Sequence, residues 1–168
     1  VDIDTGKGIV EGNIFRKNSV DDSKLSASDS NGDGLDLSDS MVMVRDNQVE
    51  GFVDKGFSIG ENTSAILLEN FFYNNRSAVT AKDQSKIYIY NNEFVENEID
   101  IEMYQKKFFF DFPSVHSIAS QFEGLSISSD GDSVLMRTEE LDLFTDSVVD
   151  MEAFEIFDEF AWDVYEKN

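Results

Sequence analysis

Apolar and polar residues alternate in short runs along the middle of the chain, and the runs recur. Gly34-Leu35-Asp36-Leu37, Gly56-Phe57-Ser58-Ile59, Ala78-Val79-Thr80-Ala81 and Glu98-Ile99-Asp100-Ile101 share one pattern, spaced 22, 22 and 20 residues apart. Within each unit a second alternating run follows: Met41 to Val44, Ala65 to Leu68, Ile87 to Tyr90. An Asn comes next (Asn47, Asn70, Asn92), and two places on a large apolar residue (Val49, Phe72, Phe94). Period two predicts strands, and nothing of helical period and length lies between them. A unit of this size cannot bury its own apolar side chains, whereas stacked copies can. Each unit is therefore one turn of a solenoid, with like residues about 4.8 Å apart on neighbouring turns.

Residues 1–27 read as an earlier copy. Asp2-Ile3-Asp4 precedes Gly8-Ile9-Val10, Asn13 and Phe15, and Asp2 to Asn13 is the same separation as Asp36 to Asn47. Ser19 to Asp33, rich in Ser and Asp, is a loop protruding from one coil. Phe108 to Pro113 is an insertion, after which Val115, Ser117, Ser120 and Phe122 fall on the columns of Ile87, Ile89, Asn92 and Phe94. Leu125 to Ser128 and Val134 to Met136 continue the coils. The tail changes period: Val148, Met151, Phe154, Phe157, Phe160 and Val164 are spaced as on an amphipathic helix, which suits a cap over an open solenoid end.

The expected fold is all-β: one domain over residues 1–168, a single-stranded right-handed parallel β-helix of about six coils over 1–138, and a helical cap over 139–168. The segments Gly32 to Ser38, Asp54 to Glu61 and Tyr104 to Lys107 resemble the repeats of bacterial right-handed parallel β-helix proteins of the pectate-lyase-like and NosD-type group. That resemblance implies an extracellular or cell-envelope protein. The architecture hosts lyases, hydrolases, epimerases and adhesins, so it does not choose among functions.

Composition narrows the partners. The 168 residues carry 35 acidic and 13 basic side chains, a net charge of −22, which repels nucleic acid and anionic membranes at long range. No run is long enough to span a membrane. The start on Val1-Asp2-Ile3-Asp4 reads as a processed or excised chain. Cys is absent, so thiolate metal sites and disulfides are excluded.

Several constellations carry candidate chemistry. Asp29, Asn31 and Asp33 with Gly34 have the spacing of a calcium loop, although Ser40 stands where a closing Glu belongs; the other reading is a turn-rich lead into the next strand. Asp39, Glu61 and Asp83 fall in one column on consecutive turns, where Lys82, Lys86 or a bound calcium ion would answer the repulsion, or water alone would at an open corner. Asp33 and Lys55 align as an ion pair. On the outward side of the second strand, Ile9, Met43, Ile66, Leu68, Tyr88 and Tyr90 form an apolar row. It is covered by the Phe-rich tail, joins two subunits in a homo-oligomer, or stacks sugar rings on Tyr88 and Tyr90. His116, the one histidine, reads as structural.

The resemblance adds that pectate-lyase-like enzymes use calcium with a basic residue on the strand face, and β-helix hydrolases use clustered Asp. Here Asp2, Asp36 and Asp100 share an outward column with Ser58, Thr80 and Ser126, so Asp2 and Asp36 could act as an acid and base pair. No Arg or Lys joins that column. The function expected is a non-catalytic, calcium-stabilised module that binds glycan or serves as scaffold; the alternative is a polysaccharide lyase or glycoside hydrolase.

Overall fold

The computed structural model describes residues 1–17, 32–118 and 124–138. Strands are numbered in chain order and fall into three parallel sheets. Sheet A holds β1 (Asp2–Asp4), β4 (Leu35–Ser38), β7 (Lys55–Gly60), β10 (Ser77–Lys82), β13 (Ile99–Tyr104) and β15 (Ile127–Ser129). Sheet B holds β2 (Lys7–Glu11), β5 (Met41–Arg45), β8 (Ser64–Leu68), β11 (Lys86–Tyr90), β14 (Ser114–Ile118) and β16 (Val134–Thr138). Sheet C holds β3 (Ile14–Arg16), β6 (Gln48–Glu50), β9 (Phe71–Tyr73) and β12 (Glu93–Val95). The chain visits A, B and C in turn and returns to A one coil further on, which makes a β-solenoid. Four coils are complete rather than the six expected, because the last two passes have only A and B strands among the described residues. The expected helical cap lies outside the described residues.

The core is built from inward columns. Leu35, Phe57, Val79 and Ile101 stack in sheet A, Val44, Leu67 and Ile89 in sheet B, and Val49, Phe72 and Phe94 in sheet C. Most of these side chains are fully buried. Phe57 meets Phe72 edge-on at 5.0 Å, and Phe72 lies flat on Phe94 at 5.0 Å. The entry to sheet A is tight: a Cβ on Gly56 would sit 2.7 Å from the Ala78 carbonyl oxygen, so only glycine fits there without a backbone shift.

The recurring asparagine is a hydrogen-bond ladder at the corner between sheets B and C. Asn13, Asn47 and Asn70 each donate Nδ2 to the Oδ1 of the next coil's Asn, at 3.1, 3.0 and 2.9 Å, ending at Asn92. Each Oδ1 also accepts the backbone N–H of the preceding coil's Asn. The residue before each ladder Asn is left-handed, Gly12 at φ 66°, Asp46 at 53°, Glu69 at 54° and Asn91 at 52°, and that turns the amide inward. Backbone polar groups at a buried corner must find partners, and the ladder supplies them.

One register differs from the sequence reading. Val79 pairs with Ile101 and Ala81 with Met103, a step of 22 residues where the pattern match gave 20. Because the slip is two residues, both registers keep isoleucine inward, so hydrophobic alternation cannot separate them. A second ladder, Asn75 Nδ2 to Asn97 Oδ1 at 3.0 Å, fixes the longer step.

Candidate functional site

The outer face of sheet A carries the densest chemistry. Its central outward row is Asp2, Asp36, Ser58, Thr80, Glu102 and Ser128. Glu102, not Asp100, continues the row. Asp100 instead lies at the corner, accepting from Asn97 Nδ2 at 3.0 Å and from the Ser126 N–H at 2.9 Å, so it ends the second ladder.

Charged side chains bridge the coils over this row. Lys82 is buried and donates to Ser58 Oγ at 2.6 Å, with Asp36 Oδ1 at 3.9 Å. Burial holds its ammonium below the usual lysine range, against the pull of the Asp36 charge, and Lys106 adds to the lowering. Lys55 sits 2.7 Å from Asp54 and 3.6 Å from Asp33, the ion pair expected from the alignment. Burial works against the Lys55 charge, yet the hydrogen bond to Asp54 and the nearby carboxylates raise its pKa. Thr80 Oγ1 donates to Glu102 at 3.2 Å and shares a 2.8 Å hydrogen bond with Ser77. Arg76 reaches both Asp54 and Glu102 at the limit of ion-pair distance. The face is thus a continuous polar lattice in which Lys82 supplies the basic group that the sequence reading did not place on the row.

Asp2 and Asp36 are register neighbours, as the alternative enzymatic reading requires. Asp39, Glu61 and Asp83 do occupy consecutive turns at the corner between sheets A and B, in left-handed conformation. Asp39 is exposed to water, one of the answers expected, while the other two carboxylates meet groups of the inserted loop. Glu61 pairs with Lys107, and Asp83 Oδ1 accepts the N–H groups of Lys106 and Lys107 at 2.7 Å each. Lys82 turns to sheet A. Among the described residues no group of three His, Cys, Asp or Glu converges as a metal site, so calcium finds no support there. Asp29 and Asn31 lie outside the described residues.

On sheet B the outward row runs Ile9, Met43, Ile66, Tyr88, His116, Met136. Met43, Ile66 and Leu68 are buried although they face away from the core, and Tyr88, 2% exposed, stacks on His116 with centroids 4.8 Å apart. Tyr90 is half-buried. The tail expected to cover this row lies outside the described residues.

His116 is 5% exposed, with Nε2 hydrogen-bonded to Ser114 Oγ at 3.2 Å. Burial, aided by the Lys86 charge, lowers its pKa to about 4. The folded value lies below the unfolded one of about 6.5, so the unfolded chain binds more protons between these values. Stability should therefore be full above pH 6.5 and fall as pH drops toward 4, by up to about 3 kcal/mol. Urea titrations at pH 7.5 and 5 should show this loss, and His116→Gln should remove most of the difference. A His116→Gln variant with the same pH dependence would assign the effect to carboxylates instead.

Residues 3–120 match the family model described as NosD, periplasmic copper-binding protein. The chain belongs to the NosD family. No curated protein and no solved structure matches it. The family description raises copper, which proteins bind through imidazole, thiolate and thioether groups and, as copper(II), also through oxygen, and no three His, Cys, Asp or Glu converge among the described residues. In this NosD chain Cys is absent and there is one His. His116 Nδ1 is buried without a hydrogen bond, and the neighbouring coil offers only Met136 in register. One imidazole and one thioether do not close a copper centre, so the described residues do not fit the metal.

Proposed function

We propose that this chain is a non-catalytic module of the cell envelope that binds a glycan along the outer face of sheet A. The family description, which names the periplasm, supports the compartment. The observation that carries the binding reading is the cross-coil polar lattice of Asp36, Lys55, Arg76, Lys82 and Glu102. Ser58 and Thr80 beneath it are fully buried and Lys82 nearly so, and Asp36 and Arg76, whose side chains are 39% and 43% exposed, are the groups that a sugar chain laid across the coils would meet. Mutual pairing of the charges favours a neutral polysaccharide over an anionic one, which the net charge of −22 would repel.

Calorimetric titration with neutral oligosaccharides should detect binding that weakens about tenfold or more in Arg76→Ala and Glu102→Gln, the scale of one lost charge-assisted hydrogen bond. Unchanged affinity in both variants would remove sheet A from the reading. The register pairing of Asp2 with Asp36, beside Lys82, favours a second reading as a lyase or hydrolase. Cleavage of the bound oligosaccharide that disappears in Asp36→Asn would establish it in place of the first.

A further inference from the structure

We propose that the loop of residues 105–113 is a docking tip by which the protein rests on the surface of a neutral phospholipid bilayer. The loop joins β13 to β14 and carries Phe108, Phe109, Phe110 and Phe112. Phe108 is 91% exposed and Phe109 66%. Their rings meet edge-to-face at 5.5 Å, and Phe109 lies against Phe110 at 4.9 Å, so the tip is one aromatic cluster.

The loop is built and held. Asp83 Oδ1 takes the backbone N–H of Lys106 and of Lys107, Lys107 pairs with Glu61, and Gln105 Nε2 donates to the Phe110 carbonyl. The Phe110 N–H closes a turn onto the Lys107 carbonyl at 3.1 Å. Phe112 packs over Gly131, where any added Cβ would strike its ring. Nothing in this framework needs the Phe108 or Phe109 rings. A large exposed apolar cluster on a fixed scaffold is normally covered or used.

The chemistry selects the occupant. Phenylalanine offers no hydroxyl or ring N–H, and Lys107, Asp83, Gln105 and Gln84 are already engaged within the loop or its supports. Sugar recognition needs polar groups converging around the ring, whereas acyl chains ask only for apolar contact. Rings exposed to this degree also suit a flat, deformable surface. The net charge of −22 sets the headgroup: an anionic surface is opposed, most strongly at low salt where screening is weak. Binding through two rings is weak and reversible, since even one acyl chain anchors only marginally. Phe108 and Phe109 take no part in the hydrogen bonds and ion pairs of the sheet A lattice, so the proposal does not depend on glycan binding.

The test is flotation of the full chain with phosphatidylcholine vesicles. The wild type should co-float, and the double variant Phe108→Ser/Phe109→Ser should lose about tenfold or more in partitioning. Its melting temperature should be unchanged, which shows that the fold is intact. Vesicles rich in phosphatidylglycerol should capture less wild-type protein at low salt and recover as salt rises. Failure of the wild type to float with phosphatidylcholine, or equal flotation of the double variant, would overturn the proposal. So would oligosaccharide binding lost in the double variant without any vesicle binding, which would make the tip a sugar platform.

Discussion

Replacing Asn70 by Ala is expected to cost about 3–5 kcal/mol of stability, because the change orphans buried partners on two neighbouring coils. Asn70 Nδ2 donates to the Val44 carbonyl at 2.8 Å and to Asn92 Oδ1 at 2.9 Å. Its Oδ1 accepts both the backbone N–H and Nδ2 of Asn47, at 3.1 and 3.0 Å. Truncation leaves the Asn47 amide and the Val44 carbonyl without these bonds in a site that water does not reach, and each unsatisfied group costs about 1–3 kcal/mol. Asn70→Asp should be comparably damaging, since it removes two donors and points a carboxylate at two acceptor oxygens. Urea denaturation would measure the loss against Glu93→Ala, whose side chain is exposed on the strand that leaves the same corner. A cost below about 1 kcal/mol would mean that the ladder decorates the corner without holding it.

Phe57→Ala is expected to cost about 3–5 kcal/mol by a different route, loss of transfer energy plus a cavity. Phe57 is fully buried and touches Phe72 edge-on at 5.0 Å and Phe15 at 5.6 Å, so it joins sheet A to two coils of sheet C. The surrounding columns are tied by interstrand hydrogen bonds and cannot collapse freely into the space. Phe57→Leu should recover roughly half of the loss, and Phe108→Ala, at the exposed loop, should change stability by less than about 0.5 kcal/mol. Thermal melts of the three variants would rank them. Since a domain of this size is stable by only about 5–15 kcal/mol, either core change brings it near unfolding at ambient temperature.

The fold was legible because a solenoid writes its coil into the sequence. The inward columns, the Asn at each corner and, as far as residue 17, the earlier copy expected over residues 1–27 all follow from local pattern. The two-residue slip at Ile99 shows where such reading ends. Alternation fixes which face a side chain takes, while the absolute register is set by Asn75 and Asn97, 22 residues apart. The site was less legible because it depends on reach. Lys82 sits next to the acidic column in sequence, yet its side chain crosses outward to Ser58, one coil back. Lys107, which pairs with Glu61, is two coils away from it and enters through the inserted loop, so no periodicity points to it. The stacking of Tyr88 on His116 likewise needed the register of β11 on β14.

The parallel coil of 22 to 23 residues is tested most directly by cysteine pairs, since the chain has no cysteine of its own. In sheet C, Tyr73 is the register partner of Val95 and of Glu50. Mild oxidation of Tyr73→Cys/Val95→Cys and of Glu50→Cys/Tyr73→Cys should give intramolecular disulfides, because in-register Cα atoms lie about 5 Å apart, within disulfide reach. Tyr73→Cys/Glu93→Cys, offset by two residues along the strand, should stay reduced under the same conditions. Equal or stronger cross-linking of the offset pair, or none in either register pair, would contradict the coil.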